Sequence, residues 1–120
     1  MSDRATTAYK VLTAEQMATL ERDGRFDGAP VDLADGYIHL STAAQLTETV
    51  ERHFAGQDDL VLVAVDASAL DGALKWEPSR GGALFPHLYG SLPLDAVAAV
   101  EELPLGNDGR HIFPAGLVPA

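Results

Sequence analysis

Cysteine is absent from this chain of 120 residues. Disulfide bonds, thiolate catalysis and cysteine-ligated zinc or iron–sulfur sites are therefore excluded. A domain of this length can close one hydrophobic core without covalent cross-links, and no repeat or linker-like stretch interrupts the sequence. We therefore predict a single domain over residues 1–120.

Basic residues are scarce, since 8 Lys and Arg stand against 18 Asp and Glu, for a formal net charge of −10. A surface this negative repels nucleic-acid phosphates and anionic lipid headgroups. The longest apolar run, LVLVAV at 60–65, is too short to span a bilayer, and MSDRATTAYK lacks the apolar core of a signal peptide. These features predict a cytoplasmic protein that binds neither membranes nor bulk nucleic acid. They leave the oligomeric state unknown. The expectation of a small-molecule ligand comes from the two residue clusters described below.

Two helices are predicted from their N-terminal signals. Thr13 and Thr42 are each followed three residues later by glutamine, which is the capping-box pattern. The first helix is predicted over residues 14–23, before a glycine, and the second from residue 43 to near Gly56.

The strand candidates outnumber the helices. Strands are predicted at 7–12, 37–40, 60–65 and 96–103, with short extended pieces elsewhere, and residues 24–35 are predicted to be a loop because Gly, Pro and Asp are frequent there. Two main helices against about five strand candidates favour an α+β fold over a doubly wound parallel sheet.

The stretch GYIHLSTA combines strand and helix signals. In an extended conformation Ile38 and Leu40 face the core, and Tyr37, His39 and Ser41 share the opposite face. That face suits the floor of a ligand cleft, because it offers an aromatic ring, a titratable group and a hydroxyl. The alternative is that His39 satisfies a buried carbonyl group while Ser41 helps to cap the second helix.

A second candidate cluster lies in LKWEPSRGGALFPHLYG. If FPHLY is extended, His87 and Tyr89 share one face. Trp76 and Glu77 precede a glycine-rich loop with Arg80, whose planar guanidinium is suited to phosphate or carboxylate. The alternative is a solvated Glu77–Arg80 pair with Trp76 in the core.

No metal-binding motif is present. The four histidines, with Glu77, lack His-x-His or His-Glu-x-x-His spacing, so we predict no metal. His53 is interpreted as packing on a helix face, and His111 as a loop residue.

Two long segments resemble a known family. They are VDLADGYIHLSTAAQLTETVERHFAGQDDLVLVAVDASAL and LKWEPSRGGALFPHLYGSLPL, and the family is a small bacterial one called domain of unknown function 952. That family is similar to a compact ADP-ribosyltransferase fold, and IHLST, a helix and a strand ending in VDA are similar to the middle motif of RNA 2′-phosphotransferases. The resemblance implies a small split β-structure whose cleft holds the nicotinamide–ribose part of NAD or an ADP-ribose-like product.

The resemblance also assigns motif positions. It places the middle motif at His39 and Ser41, and the late-strand position at His87 or Tyr89. The first-strand position, which is His or Arg in the related enzymes, falls on Tyr9 or Lys10. The late strand has no glutamate at the position of His87, and Glu77 is the candidate substitute.

The first functional hypothesis is therefore an ADP-ribosyl or glycosyl transferase-type enzyme with NAD as candidate substrate. His39 would bind ribose or phosphate, and His87 would be a second polar contact or a general acid or base. Arg80 would hold the diphosphate, Lys10 would contribute to ligand binding, and an aromatic ring would stack on the base. The rings are those of Tyr37, Tyr89 and Trp76.

Two alternatives belong to other classes. The departures from the motif favour a non-catalytic ligand-binding module with a degenerate site. A metal-dependent hydrolase that uses His39, His87 and Glu77 is the third hypothesis.

Overall fold

The computed structural model describes residues 7–70 and 72–114, and within these it leaves out the side chain of Arg80. The described residues form an α+β fold, as predicted, and none of their helices is long and apolar enough to cross a bilayer. The helices are α1 (Ala14–Asp23), α2 (Pro30–Asp35) and α3 (Ala43–His53). The strands are β1 (Thr7–Thr13), β2 (Arg25–Phe26), β3 (Ile38–His39), β4 (Leu60–Asp66), β5 (Leu74–Pro78), β6 (Leu84–Leu88), β7 (Leu92–Pro93) and β8 (Val97–Leu103).

The predicted start and end of α1 are confirmed. Thr13 Oγ1 accepts a hydrogen bond from the backbone N–H of Gln16 at 3.1 Å, and the Gln16 side chain accepts one from the Thr13 N–H at 2.9 Å. The helix ends at Gly24, whose φ of 74° is in the left-handed region that glycine adopts without strain.

The capping box of α3 is also confirmed, with Thr42 as N-cap, but the helix ends at His53, before Gly56. Leu46 and Val50 form its buried stripe. The prediction that His53 packs on the helix face is wrong, because its side chain is exposed. A polar side chain in the last turn avoids the cost of desolvation by staying in solvent.

The prediction of a loop over residues 24–35 is wrong, because this stretch contains β2 and α2. Pro30 stands at the first position of α2, where its fixed φ favours a helix and its missing N–H is not needed. The Asp32 carboxylate accepts a hydrogen bond from the Ala29 N–H at 2.8 Å, and Gly36, with a φ of 91°, ends the helix.

Two three-stranded antiparallel sheets dominate the fold. One has the order β1-β4-β8 and the other β3-β6-β5, while β2 and β7 form a separate pair. Tyr9 and Ser41 connect the large sheets, since their backbones exchange hydrogen bonds of 2.7 and 2.9 Å. This bridge holds the start of α3 against the middle of β1.

The predicted burial of β4 is confirmed on both of its faces. Val63 and Val65 belong to one hydrophobic cluster, and Leu60 and Leu62 to a second. Because successive side chains of a strand point to opposite faces, the two clusters lie on opposite sides of the sheet.

The register of β3-β6-β5 separates an apolar face from a polar one. Ile38 is paired with Leu88, and Leu88 with Leu74, whereas the next row contains His39, His87 and Lys75. Ile38 and Leu88 are in the core. The histidine row therefore lies on the opposite face of the sheet.

Candidate histidine and carboxylate site

The histidines of the two candidate motifs are neighbours in the fold. His39 of β3 and His87 of β6 are directly paired, and their ring centroids are 5.7 Å apart at an interplanar angle of 69°. The ring of Tyr37 stacks on His87 at 4.1 Å and lies 4.7 Å from His39. The ring centroid of Tyr89 lies 5.2 Å from that of Tyr37. Four of the predicted site residues are thus brought together.

His39 is held between two carboxylates of α2. Its Nδ1 is 2.6 Å from Asp32 Oδ1, and its Nε2 is 2.9 Å from Asp35 Oδ2. The backbone N–H of His39 also donates to Asp32 Oδ1 at 3.1 Å. The two acids are three residues apart on the helix and therefore project to one side. About a third of the imidazole, 32%, is still exposed.

Asp32 is the buried centre of this arrangement, with 1% of its side chain exposed. Lys10 Nζ is 3.0 Å from Asp32 Oδ2 and donates to the His39 carbonyl oxygen at 3.0 Å. Burial alone would raise the pKa of Asp32, but hydrogen bonds from His39 and the charge of Lys10 outweigh it and lower the pKa to about 2. Burial lowers the pKa of Lys10, against the opposing effect of Asp32. This ion pair fixes both the ring and the backbone of His39.

His87 has a different partner. Its Nδ1 is 2.8 Å from Glu77 Oε1, and Tyr89 Oη donates to the same oxygen at 2.7 Å. The hydrogen bond with His87 is the main cause that lowers the pKa of Glu77, and the hydrogen bond from Tyr89 lowers it further. The bond to Glu77 in turn raises the pKa of Tyr89. Only 2% of His87 is exposed, and its Nε2 is buried with no hydrogen-bond partner among the described residues.

Two of the predicted site residues point elsewhere. Ser41 is buried, and its Oγ is 3.0 Å from Thr49 Oγ1 on α3. Trp76 is half-buried and in register with Pro86, one position away from the row of His87. Since side chains alternate along a strand, Trp76 lies on the face opposite the imidazoles. The predicted stacking role of Trp76 in this site is therefore not supported by its position.

The predicted cationic side chains do not lie together at the ring cluster. The amine of Lys10 faces Asp32 and not the ring cluster, because a buried ammonium requires a partner. The side chain of Arg80 lies outside the described part of the structure. Lys75, which was not among the predicted site residues, is exposed and in register with His87, so it adds a positive charge to the polar face.

Sequence reasoning also missed Asp32 and Asp35. A local signal for them exists in PVDLADG, where Pro30 precedes acids three residues apart and Gly36 closes the turn. Recognition of this short helix would have placed both carboxylates on one face, directly before His39.

A shallow cavity of about 260 Å³ adjoins Tyr37. Its wall includes carboxylate and hydroxyl groups, and Ser91 Oγ donates a hydrogen bond to Asp27. The lining residues are Asp27, Asp32, Leu33, Gly36, Tyr37, Ile38, Gly90 and Ser91. Within residues 7–70 and 72–114, no group of three or more His, Asp or Glu side chains is arranged to hold a metal ion.

The fold and the site define an α+β protein with paired histidines and carboxylates on one face of a small antiparallel sheet. Residues 11–100 match the family described as "Protein of unknown function (DUF952)", and the chain belongs to that family. The predicted membership of this family is thereby confirmed, whereas the predicted similarity to ADP-ribosyltransferases is not part of the match.

Solved structures of a related protein have the same fold. The crystal structure of Protein CC0527 from Caulobacter crescentus is 46% identical, with a TM-score of 0.89 over 93% of this chain and 98% of that one. Its solution NMR structure is 48% identical, with a TM-score of 0.79 over 88% and 91% of the two chains. No curated protein sequence matches this chain.

Proposed function

We propose that this protein binds a ribose-containing ligand of the NAD or ADP-ribose type at the His39–His87 cluster, on a fold of the ADP-ribosyltransferase type. The observation that carries the proposal is the pairing of the two imidazoles beneath the ring of Tyr37. Rings and titratable groups that converge on one face are typical of sites that bind and orient small polar ligands.

The sheet arrangement supports the fold assignment. Two three-stranded antiparallel sheets are joined through the backbone bridge between Tyr9 and Ser41, and His39 lies directly before that bridge. This arrangement supports the split β-structure that the resemblance implies, with His39 of the proposed middle motif beside the junction of the sheets.

The charges around the cluster support a sugar ligand. Glu77 is partly exposed beside His87, where a carboxylate can stabilise positive charge that develops on a ribose during cleavage of a glycosidic bond. Lys75, in the row of His87, supplies a positive charge for a phosphate. The net charge of −10 favours such a ligand over nucleic acid.

A second candidate, a binding module without turnover, is favoured by one observation. Lys10, one of the two residues at the first-strand motif position, has its ammonium buried against Asp32 and the His39 carbonyl. It is therefore not placed to contact a ligand as the His or Arg of the related enzymes would.

Calorimetric titration with NAD and with ADP-ribose tests the proposal. We expect His39→Gln and His87→Asn each to weaken binding by about tenfold or more, because the first removes a positive charge and the second removes the Nε2 acceptor from a partly or fully desolvated site. His87→Asn retains a donor near the Nδ1 position, so the bond to Glu77 can persist. His53→Gln is the matched control, since His53 is exposed on α3, and it should bind as the wild type does.

Chromatographic measurement of nicotinamide release separates the two candidates. Release from NAD that His87→Asn abolishes supports an enzyme, whereas binding without release supports the module. The proposal is rejected if neither compound binds at millimolar concentration, or if the histidine variants bind as tightly as the control.

A further inference from the structure

We propose that the two histidines are held in opposite protonation states and have opposite roles. His39 is an imidazolium whose two N–H groups are held by carboxylates. His87 is a neutral ring whose buried Nε2 accepts a hydrogen bond from an O–H or N–H group of the ligand once the groups that cover it are displaced. The identity of that ligand rests on the proposed function.

The state of His39 follows from its partners. Asp32 Oδ1 is 2.6 Å from Nδ1 and Asp35 Oδ2 is 2.9 Å from Nε2. An ionised carboxylate only accepts hydrogen bonds, so both contacts require a proton on the ring nitrogen. The low pKa of Asp32, about 2, keeps that carboxylate ionised throughout the neutral range. Both nitrogens of His39 therefore carry protons.

Asp32 is the positioning residue of this half of the site. Besides the His39 ring it accepts hydrogen bonds from the Ala29 and His39 backbones, and it is paired with Lys10. Four donors thus make five contacts with the two oxygen atoms, since Lys10 reaches both. A carboxylate held in this way has a single orientation and fixes the imidazole with it.

The state of His87 follows from the asymmetry of its surroundings. Glu77 Oε1 accepts a hydrogen bond from Nδ1–H, and no acceptor faces Nε2 among the described residues. A proton on Nε2 would create a buried charge with an unpaired donor, 5.7 Å from the ring of the His39 imidazolium. Burial and a like charge both oppose that second proton.

The other groups that face His87 do not change this result. The Tyr37 ring stacks on it at 4.1 Å and supplies no acceptor in its plane, and Lys75 on the adjacent strand is a further cation. The Tyr89 hydroxyl donates to Glu77. Nε2 is therefore left as an unprotonated nitrogen with a free lone pair.

The consequence is a site that accepts hydrogen bonds from the ligand. Nε2 of His87 and the partly exposed carboxylate of Glu77 both require donors, which a ribose diol or a carboxamide N–H supplies and a phosphate oxygen does not. Because the N–H groups of His39 are engaged by Asp32 and Asp35, His39 contributes positive charge and His87 is the base of the pair.

Long-range proton–nitrogen NMR of the unliganded protein at neutral pH tests the assignment. We expect two protonated nitrogens for His39, and one protonated and one unprotonated nitrogen for His87, with His53 and His111 as internal references. His39→Gln and His87→Asn assign the signals. A neutral His39 or a doubly protonated His87 at neutral pH would overturn the inference.

Two variants that each remove a carboxylate test whether these carboxylates keep His39 protonated. Asp32→Asn should convert His39 to a neutral ring and leave the His87 signals in place, whereas Asp23→Asn, an exposed acid on α1, should change neither. If Asp32→Asn does not fold, Asp35→Asn serves instead, since Asp35 is half exposed and its loss should release the Nε2 proton of His39. If His39 remains doubly protonated in the folded variant, its carboxylate partners are not the cause of its charge.

Titration with ADP-ribose separates this inference from the proposed function. The expected result is a selective shift of the unprotonated His87 nitrogen on binding. If the protonation states are as assigned but ADP-ribose does not bind, the proposed function fails and the assignment of states stands. If ADP-ribose binds and the His87 nitrogen does not shift, the acceptor role of His87 is overturned.

Discussion

His39 and His87 are cross-strand partners, yet each imidazole is bound to carboxylates from a different part of the chain. His39 meets Asp32 and Asp35 of α2, whereas His87 meets Glu77 of β5. The rings are only 5.7 Å apart, so two side chains of the same chemistry occupy one site with different electrostatic surroundings.

Asp32→Asn should lower the free energy of unfolding by about 3–5 kcal/mol, because it leaves the Lys10 ammonium buried without a charged partner. Urea denaturation measures the effect. Asp23→Asn, which breaks an exposed pair with Arg22, should cost less than about 1 kcal/mol. Lys10→Met combined with Asp32→Asn should be more stable than Asp32→Asn alone, and a single variant as stable as the wild type would contradict the ion-pair account.

Acidification should remove a defined part of the stability. The pKa of Asp32 falls from 3.8 to about 2 on folding, so its contribution is fully present above about pH 4 and is lost as the pH falls through 2. A shift of this size corresponds to about 2 kcal/mol. Urea denaturation of the wild type and Asp32→Asn across this range should show a difference that narrows towards low pH. A constant difference would contradict the assigned pKa.

The capping boxes should each contribute measurably. Thr13→Ala and Thr42→Ala remove the acceptors for the N–H groups of Gln16 and Gln45, and each should cost about 1 kcal/mol. Thr47→Ala is the control, because Thr47 is exposed within α3 and alanine favours a helix there. Equal thermal shifts for the Thr42 and Thr47 variants would show that the cap is not stabilising.

Gly24→Ala should destabilise the end of α1 by about 1 kcal/mol, since Gly24 has a φ of 74°. An added Cβ meets no other atom within 4 Å, so the cost comes from the backbone conformation and not from a clash. Gly24→Asn should cost less, because asparagine tolerates left-handed φ values. Thermal denaturation of the two variants makes the comparison, and equal melting temperatures would contradict this account.

Local patterns in the sequence determined the secondary structure of the longer elements. The threonine and glutamine pairs set the starts of α1 and α3, and the apolar run of β4 indicated burial on two faces. The alternation around His39 and around His87 indicated the faces on which their rings lie. These features could be predicted from the sequence because each depends on residues within about four positions of one another.

Tertiary structure alone decided the partners of those residues. The register of β5 against β6 places Trp76 on the opposite face from the imidazoles, and the docking of α2 against β3 brings Asp32 to both Lys10 and His39. These contacts join residues that are distant in the chain. Their geometry depends on strand pairing and on the burial of charge, which no short window of sequence specifies.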